Sequence, residues 1–129
     1  MLQAISSFSG IAVDTIEKAR AFYGDTLGLA LEDESMGLTF ALPGGGSLFI
    51  YEKPGHTPAE YTVLNFVVEN ITDTIRHLVD DHALIFERYD GLPAPQDALG
   101  VLRGKATGDG PDIAWFKDPA GNILAVLET

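Results

Sequence analysis

The sequence lacks cysteine and has few basic residues and no long apolar run. Without cysteine, neither a disulfide framework nor a thiolate metal site can form. No stretch is apolar over the roughly 20 positions that a membrane-spanning helix needs. The N-terminus also lacks the basic start and apolar stretch of a secretory signal. These absences lead us to expect a cytoplasmic protein.

Basic residues number 8 and acidic residues 19, which gives a formal net charge of -11. Such a surface repels phosphate backbones and anionic lipids, so we expect neither nucleic acid nor a membrane as a partner. The length of 129 residues, of which 46% are hydrophobic, is typical of one folded domain with a sizeable core. We therefore expect a single domain over residues 1–129.

The first half predicts one helix and four strands. Asp14, with Glu17 three positions later, resembles a capping box and predicts a helix start, and Gly28 predicts its left-handed end. Small, β-branched and apolar runs predict strands around this helix, with a glycine-rich hairpin turn at 44–46. The predicted strands are 5–13, 29–35, 38–42 and 47–52.

The second half repeats this order. Asn70 predicts a helix cap, and the run Pro43–Glu52 aligns with Pro119–Glu128 without a gap. The predicted strands are 62–68, 84–89, 113–117 and 122–127. Repeated elements predict an α+β fold of two tandem βαβββ modules, at approximately 1–56 and 59–129.

One long segment, 90–111, breaks the repeat. Loops beyond about 12–15 residues without secondary structure are uncommon and are often functional. The segment is therefore either a surface insertion or a lid over a pocket, and residues 100–103 could add a short strand within it. The sequence leaves both interpretations open.

Three motifs carry a family resemblance. They are the run Val13–Tyr23, the triplet Leu27-Gly28-Leu29 and the turn Asp118-Pro119-Ala120-Gly121-Asn122. Together and in this order they resemble the vicinal oxygen chelate superfamily, which includes glyoxalase I, extradiol dioxygenases and bleomycin resistance proteins. The resemblance implies paired modules whose sheets curl into a cup, with the helices on the outer face. It also implies a divalent metal in many members, and a homodimer.

The resemblance places metal ligands on the first and last strand of each module. In the family these ligands stand at fixed distances from the strand and turn motifs. The same distances in this sequence lead to Phe8, Phe49, Val63 and Ala125. Hydrocarbon side chains have no lone pair to donate to a metal. A shift of one residue would bring in Glu52 or Asn65, but not a full ligand set. We therefore expect no family-type metal site, no cofactor, and neither metal-dependent glyoxalase nor metal-dependent dioxygenase activity.

Strand alternation predicts which side chains line the cup. The predicted lining is apolar and aromatic with few polar groups, as is typical of ligand pockets. Its members are Phe8, Phe49, Tyr51, Val63, Asn65, Arg88, Trp115 and Ala125. No pair of a nucleophile and a base is recognisable, so no catalytic residue is predicted.

Three functions remain open. The first is a protein without a metal that binds a small apolar or aromatic molecule in the cup. The second is a metal-independent isomerase or lyase that uses Tyr51, Arg88 or a carboxylate. The third is a dimeric interaction module whose cup is filled by its own side chains. The expected partners are a small-molecule ligand and a second copy of the chain.

Overall fold

A computed structural model describes residues 1–129 and contains two four-stranded sheets, one in each half of the chain. The chain divides into two compact units, Met1–Pro58 and Ala59–Thr129, and each has its own sheet and helices. Neither sheet closes on itself, which is consistent with sheets that curl into a cup. This duplicated α+β arrangement confirms the predicted fold class. No helix is both long enough and apolar enough to cross a membrane.

The first unit contains four strands and one helical segment. Helix α1 (Ile16–Arg20) continues as a wider π-helical turn over Ala21–Thr26, and Gly28 follows in the predicted left-handed conformation. The sheet order is β1-β4-β3-β2, with β1 parallel to β4 and the other neighbours antiparallel. The strands are β1 (Ser9–Val13), β2 (Leu31–Asp33), β3 (Leu38–Ala41) and β4 (Ser47–Glu52).

The second unit repeats this sheet with a different edge. Its order is β5-β8-β7-β6, again with the first and last strands of the unit parallel. Its elements are β5 (Thr62–Val67), α2 (Ile71–His82), β6 (Leu102–Arg103), α3 (Gly104–Thr107), β7 (Asp112–Lys117) and β8 (Ile123–Glu128). The strand predicted at 84–89 is wrong, because this segment pairs with β7 only through a bridge between Phe86 and Phe116. The short strand expected within 100–103 is confirmed as β6.

Helices α1 and α2 each start against the last strand of their own unit. The predicted Asp14 cap is wrong, since the residue before α1 is Thr15 and it makes no side-chain capping bond. Instead, the Ile16 N–H donates to the Glu52 carboxylate at 3.0 Å. The N–H of Ile71, the first residue of α2, donates in the same way to Glu128 at 3.0 Å. Asn70 adds the predicted local cap by accepting from the Asp73 N–H at 2.9 Å.

The core of each unit lies on one face of its sheet. In the first unit the β1 and β4 side chains alternate as predicted, with Ile11, Val13, Leu48 and Ile50 buried. Tyr23, which is fully buried, joins the helical segment to this face through a ring contact with Phe40 at 6.1 Å. In the second unit the core is formed by Ile71, Ile75, Leu78, Ala114, Phe116, Leu124 and Val126. The opposite face of each sheet therefore carries the residues available for a ligand.

Candidate functional site

In the first unit, three predicted lining residues form one aromatic cluster. Phe49 of β4 stacks on Tyr51 with ring centroids 5.9 Å apart. Phe8, which lies just before β1, meets the Phe49 ring edge to face at 6.3 Å. Phe8 is 69% exposed and Tyr51 40% exposed. The cluster is therefore an open aromatic surface, and neither a filled core nor an enclosed pocket.

In the second unit, an open groove of about 210 Å³ lies beside Trp115. The Trp115 and Tyr89 rings meet almost at a right angle, 77°, with centroids 5.5 Å apart. The groove is lined by Glu60, Tyr61, Thr62, Tyr89, Trp115 and Ile123. Because drug-sized ligands fill roughly 300–1,000 Å³, this groove matches a single ring or a compact group.

A bulge in β5 decides which residue of that strand reaches the groove. Thr62 pairs with Ile123 and Leu64 pairs with Leu124, so Val63 is the extra residue between them. An extra residue interrupts the alternation of a strand and shifts the side chains on one side of it. As a result, Thr62 lines the groove and Val63 does not.

Three predicted residues lie in one row across the sheet. Ala125 of β8 pairs with Asn65 of β5 on one side and with Trp115 of β7 on the other. Ala125 has no exposed surface, whereas Asn65 is exposed. Of these three, Trp115 alone lines the groove.

Tyr89 is held beside Trp115 by hydrogen bonds of the neighbouring backbone. The Glu87 N–H donates to the Trp115 carbonyl at 2.8 Å. The side-chain amide of Gln96 accepts from the Tyr89 N–H at 2.8 Å and donates to the carbonyls of Glu87 and Gly100 at 2.9 and 2.7 Å. The Gln96 side chain thus fixes the backbone segment that carries Tyr89.

Arg88 points its guanidinium at the long segment and is not among the groove-lining residues. It donates to the carbonyls of Asp97 and Ala98 at 2.5 and 2.8 Å. The Asp97 carboxylate in turn accepts from the N–H groups of Leu99 and Val101, each at 2.9 Å, and from Arg103 at 2.9 Å. Burial alone would raise the pKa of Asp97, but these hydrogen bonds outweigh it and hold that pKa below its usual value. The segment is therefore bonded to β6 and to Arg88.

The electrostatics of the groove are set by acidic residues. Glu60 is the charged residue of its lining. The nearby Lys117 ammonium lies 3.4 Å from the carboxylate of Glu87 and is paired with it. Burial, together with the negative charge of Glu87, raises the pKa of Tyr89, and the positive charge of Lys117 opposes this shift only in part. At neutral pH the Tyr89 hydroxyl consequently stays protonated.

The sequence-based prediction missed four residues of the groove: Glu60, Tyr61, Thr62 and Tyr89. Tyr61 stands directly before a predicted strand and Tyr89 ends another, so aromatic residues at strand ends were the available signal. Their convergence on Trp115 depends on the β5 bulge and on the bridge between Phe86 and Phe116. Neither feature has a local sequence pattern.

Comparison with known proteins identifies the family. The sequence profile of the Glyoxalase/Bleomycin resistance protein/Dioxygenase superfamily matches residues 4–126 of the chain. The chain belongs to this superfamily. The resemblance seen in the sequence motifs is thereby confirmed. No curated protein matches the sequence significantly.

Solved structures of superfamily type share the fold. The fosfomycin resistance protein FosX from Listeria monocytogenes is 13% identical with a TM-score of 0.70, covering 100% of this chain and 95% of that one. The antibiotic binding protein TnmS3 from Streptomyces sp. CB03234 is 21% identical with a TM-score of 0.60 and 98% coverage of both chains. Lactoylglutathione lyase from Agrobacterium tumefaciens is 19% identical with a TM-score of 0.63, covering 98% and 95%. At these identities the likeness concerns the fold alone.

The residues of this chain do not fit the metal that the superfamily implies. The four positions carried over from the motifs hold side chains without a donor atom, namely Phe8, Phe49, Val63 and Ala125. Glu52, the nearest carboxylate in β4, is hydrogen-bonded to the start of α1. No group of three or more His, Asp or Glu side chains is placed to hold a metal ion.

Proposed function

We propose that this superfamily member binds a small apolar or aromatic molecule without a metal, in the groove beside Trp115. The observation that carries the proposal is the edge-to-face pair of Trp115 and Tyr89, since both rings line the groove. Aromatic pairs contribute about 0.5–1.5 kcal/mol beyond the apolar area that they bury. Stacking and shape thus replace the metal–oxygen bonds that hydrocarbon side chains cannot make.

The superfamily offers a precedent for binding. TnmS3, which has the same fold, is described as an antibiotic binding protein. The groove of the present chain is open, and three of its lining residues, Tyr61, Thr62 and Tyr89, carry hydroxyl groups. A few polar groups among apolar and aromatic side chains are the usual composition of a small-molecule site.

A fluorescence titration tests this proposal directly, because Trp115 is the single tryptophan of the chain. We expect at least one compound from a panel of small aromatic molecules to change the Trp115 emission saturably. The variant Tyr89→Ala should weaken that compound by about twofold to tenfold, since it removes one ring wall. The matched control is Tyr51→Ala in the first unit, which should leave the affinity unchanged. If no compound gives a saturable change, the proposal is wrong.

The absence of a metal is tested separately. We expect elemental analysis of protein prepared without chelators and without nickel resin to show no stoichiometric transition metal. A bound metal at one equivalent per chain would contradict this part of the proposal, because it would require a ligand set other than the four carried-over positions.

A further inference from the structure

The lining of the groove beside Trp115 has an unusual composition for a site that takes a neutral molecule. Three of its six residues are aromatic, one is an acid, and none is basic. Trp115 and Tyr89 meet edge to face, almost perpendicular, and both line the groove together with Tyr61. Glu60 precedes Tyr61 in the chain, is exposed, and adds an acidic side chain to the lining of the same groove.

Aromatic faces and a carboxylate attract the same kind of ligand. The face of an aromatic ring is negative because of its quadrupole, and tryptophan is the strongest of the aromatic side chains in this respect. Substituted ammonium groups are recognised by several such rings arranged around them. A carboxylate beside the rings adds a direct Coulomb attraction that a neutral ligand cannot use.

The basic groups near the groove are paired, so they offset this attraction only in part, although the charge of Lys117 reaches Tyr89. Lys117 is the basic residue two positions after Trp115, and its ammonium lies 3.4 Å from the Glu87 carboxylate. The guanidinium of Arg88 is committed to two backbone carbonyls of the long segment. The whole chain carries a net charge of -11, which steers cations toward its surface.

A neutral ligand, by contrast, would meet an electrostatic cost. Covering Glu60 with an uncharged molecule removes water from its carboxylate without supplying a partner. A cation of the same shape replaces that water with an opposite charge. The difference between the two ligands is therefore concentrated at Glu60 and on the three ring faces.

From this geometry we infer that the groove binds an organic cation, namely a substituted ammonium group carried on an apolar or aromatic body. The inference rests on the proposed function, because it names the chemical class of the ligand for the same groove. The ammonium lies against the Trp115 and Tyr89 rings with Glu60 beside it, and the apolar body extends toward Ile123 and the open side.

The test compares choline with its uncharged carbon isostere, 3,3-dimethylbutan-1-ol, by titration of the Trp115 emission at low ionic strength. The two probes have nearly the same shape and differ in charge. We expect choline to bind about fivefold to thirtyfold more tightly, the ratio that corresponds to a cation–π contribution of about 1–2 kcal/mol. Glu60→Gln should weaken choline severalfold and leave the isostere unchanged.

A matched control separates the local charge from the net charge of the chain. Glu69 is an exposed acid of the same unit outside the groove, and Glu69→Gln removes the same charge. It should leave the affinity for choline unchanged at moderate salt, because charges beyond about 10 Å are screened. Equal weakening by both substitutions would overturn the assignment of Glu60.

The remaining outcomes distinguish the inference from the proposed function. If the isostere binds as tightly as choline, or if only neutral aromatic compounds change the emission, the cation preference is wrong and the binding function stands. If no compound of either class changes the emission, both are wrong. If choline is preferred and the preference is lost in Glu60→Gln but not in Glu69→Gln, the inference is supported.

Discussion

Replacement of Gln96 by alanine tests whether one side chain holds the aromatic corner together. The substitution removes the three hydrogen bonds that join the backbone of Glu87, Tyr89 and Gly100 through the Gln96 amide. Three bonds at about 0.5–1.5 kcal/mol each give an upper range of about 1.5–4.5 kcal/mol. Because Tyr89 is partly exposed and water can replace one bond, we expect a loss of about 2–3 kcal/mol in the free energy of unfolding.

The assay is urea denaturation followed by circular dichroism, with a thermal scan beside it. A domain of this size loses roughly 4 °C of Tm per kcal/mol, so Gln96→Ala should melt about 8–12 °C lower. It should also weaken any ligand of the Trp115 groove, because Tyr89 is no longer held. The control is Gln3→Ala, since Gln3 is the other glutamine of the chain and is exposed. It should change the stability by less than about 0.5 kcal/mol.

The variant Gln96→Glu provides the sharpest test of this reasoning. A carboxylate still accepts from the Tyr89 N–H, but it cannot donate to the carbonyls of Glu87 and Gly100 and it repels both. At neutral pH the variant should therefore be as unstable as Gln96→Ala. On acidification the protonated carboxyl regains one donor, so part of the loss should be recovered relative to wild type. Wild-type stability of Gln96→Glu at neutral pH would refute the account.

Three further predictions concern the second unit. Ile75→Ala should lower the free energy of unfolding by about 2–5 kcal/mol in urea denaturation, because Ile75 is fully buried and the change leaves a cavity. Gly104→Ala should destabilise by about 1–3 kcal/mol in the same assay, since an added Cβ would stand 2.6 Å from the Pro111 carbonyl oxygen. The hydrogen bond from Lys105 lowers the pKa of Glu128. The ionised Glu128 side chain therefore stabilises the fold fully above the usual glutamate pKa, and this stabilisation is lost as the pH falls through the lowered pKa. Melting curves of wild type and Glu128→Gln should accordingly differ at neutral pH and converge in acid.

The features that could be predicted from the sequence are those with a local cause. Asn70 caps α2 through an N–H three residues away, and Gly28 takes the left-handed conformation that ends a helix. The turn residues Asp118 and Asn122 bond to each other at 2.8 Å, as expected for neighbours in one turn. Strand alternation also predicted that Trp115 belongs to the open face. Each of these features is decided within four residues of chain.

The features that were predicted wrongly or missed have causes far apart in the sequence. The start of α1 depends on Glu52, which is 36 residues away, and so the nearby Asp14 was a misleading signal. Segment 84–89 has the composition of a strand but forms only one bridge, to Phe116, while β6 pairs with Asp112 and Ile113 of the same β7 edge. The bulge that brings Thr62 to the groove in place of Val63 is likewise set by pairing with β8. The groove residues that escaped prediction therefore lie outside the strands or, in the case of Thr62, at the bulged start of β5.

Corresponding positions of the two units carry side chains of different size. In the first unit the bulky ring stands on the last strand, where Phe49 pairs with Thr39 of β3. In the second unit the sizes are reversed, since Ala125 stands on the last strand and pairs with Trp115 of β7. The reversal moves the large ring one strand toward the edge formed by the 86–89 segment, where Tyr89 meets it at a right angle.

The same comparison separates what the fold requires from what a ligand requires. Glu52 and Glu128 stand at matching positions of the two units. Each accepts a hydrogen bond from the N–H of the first residue of a helix, and this shared structural role explains why both positions hold glutamate. The carried-over metal positions have no such shared bond. They hold large rings in one unit, Phe8 and Phe49, and small side chains in the other, Val63 and Ala125. A common metal would demand donor atoms at these positions in either unit, and the hydrocarbon side chains of both units offer none.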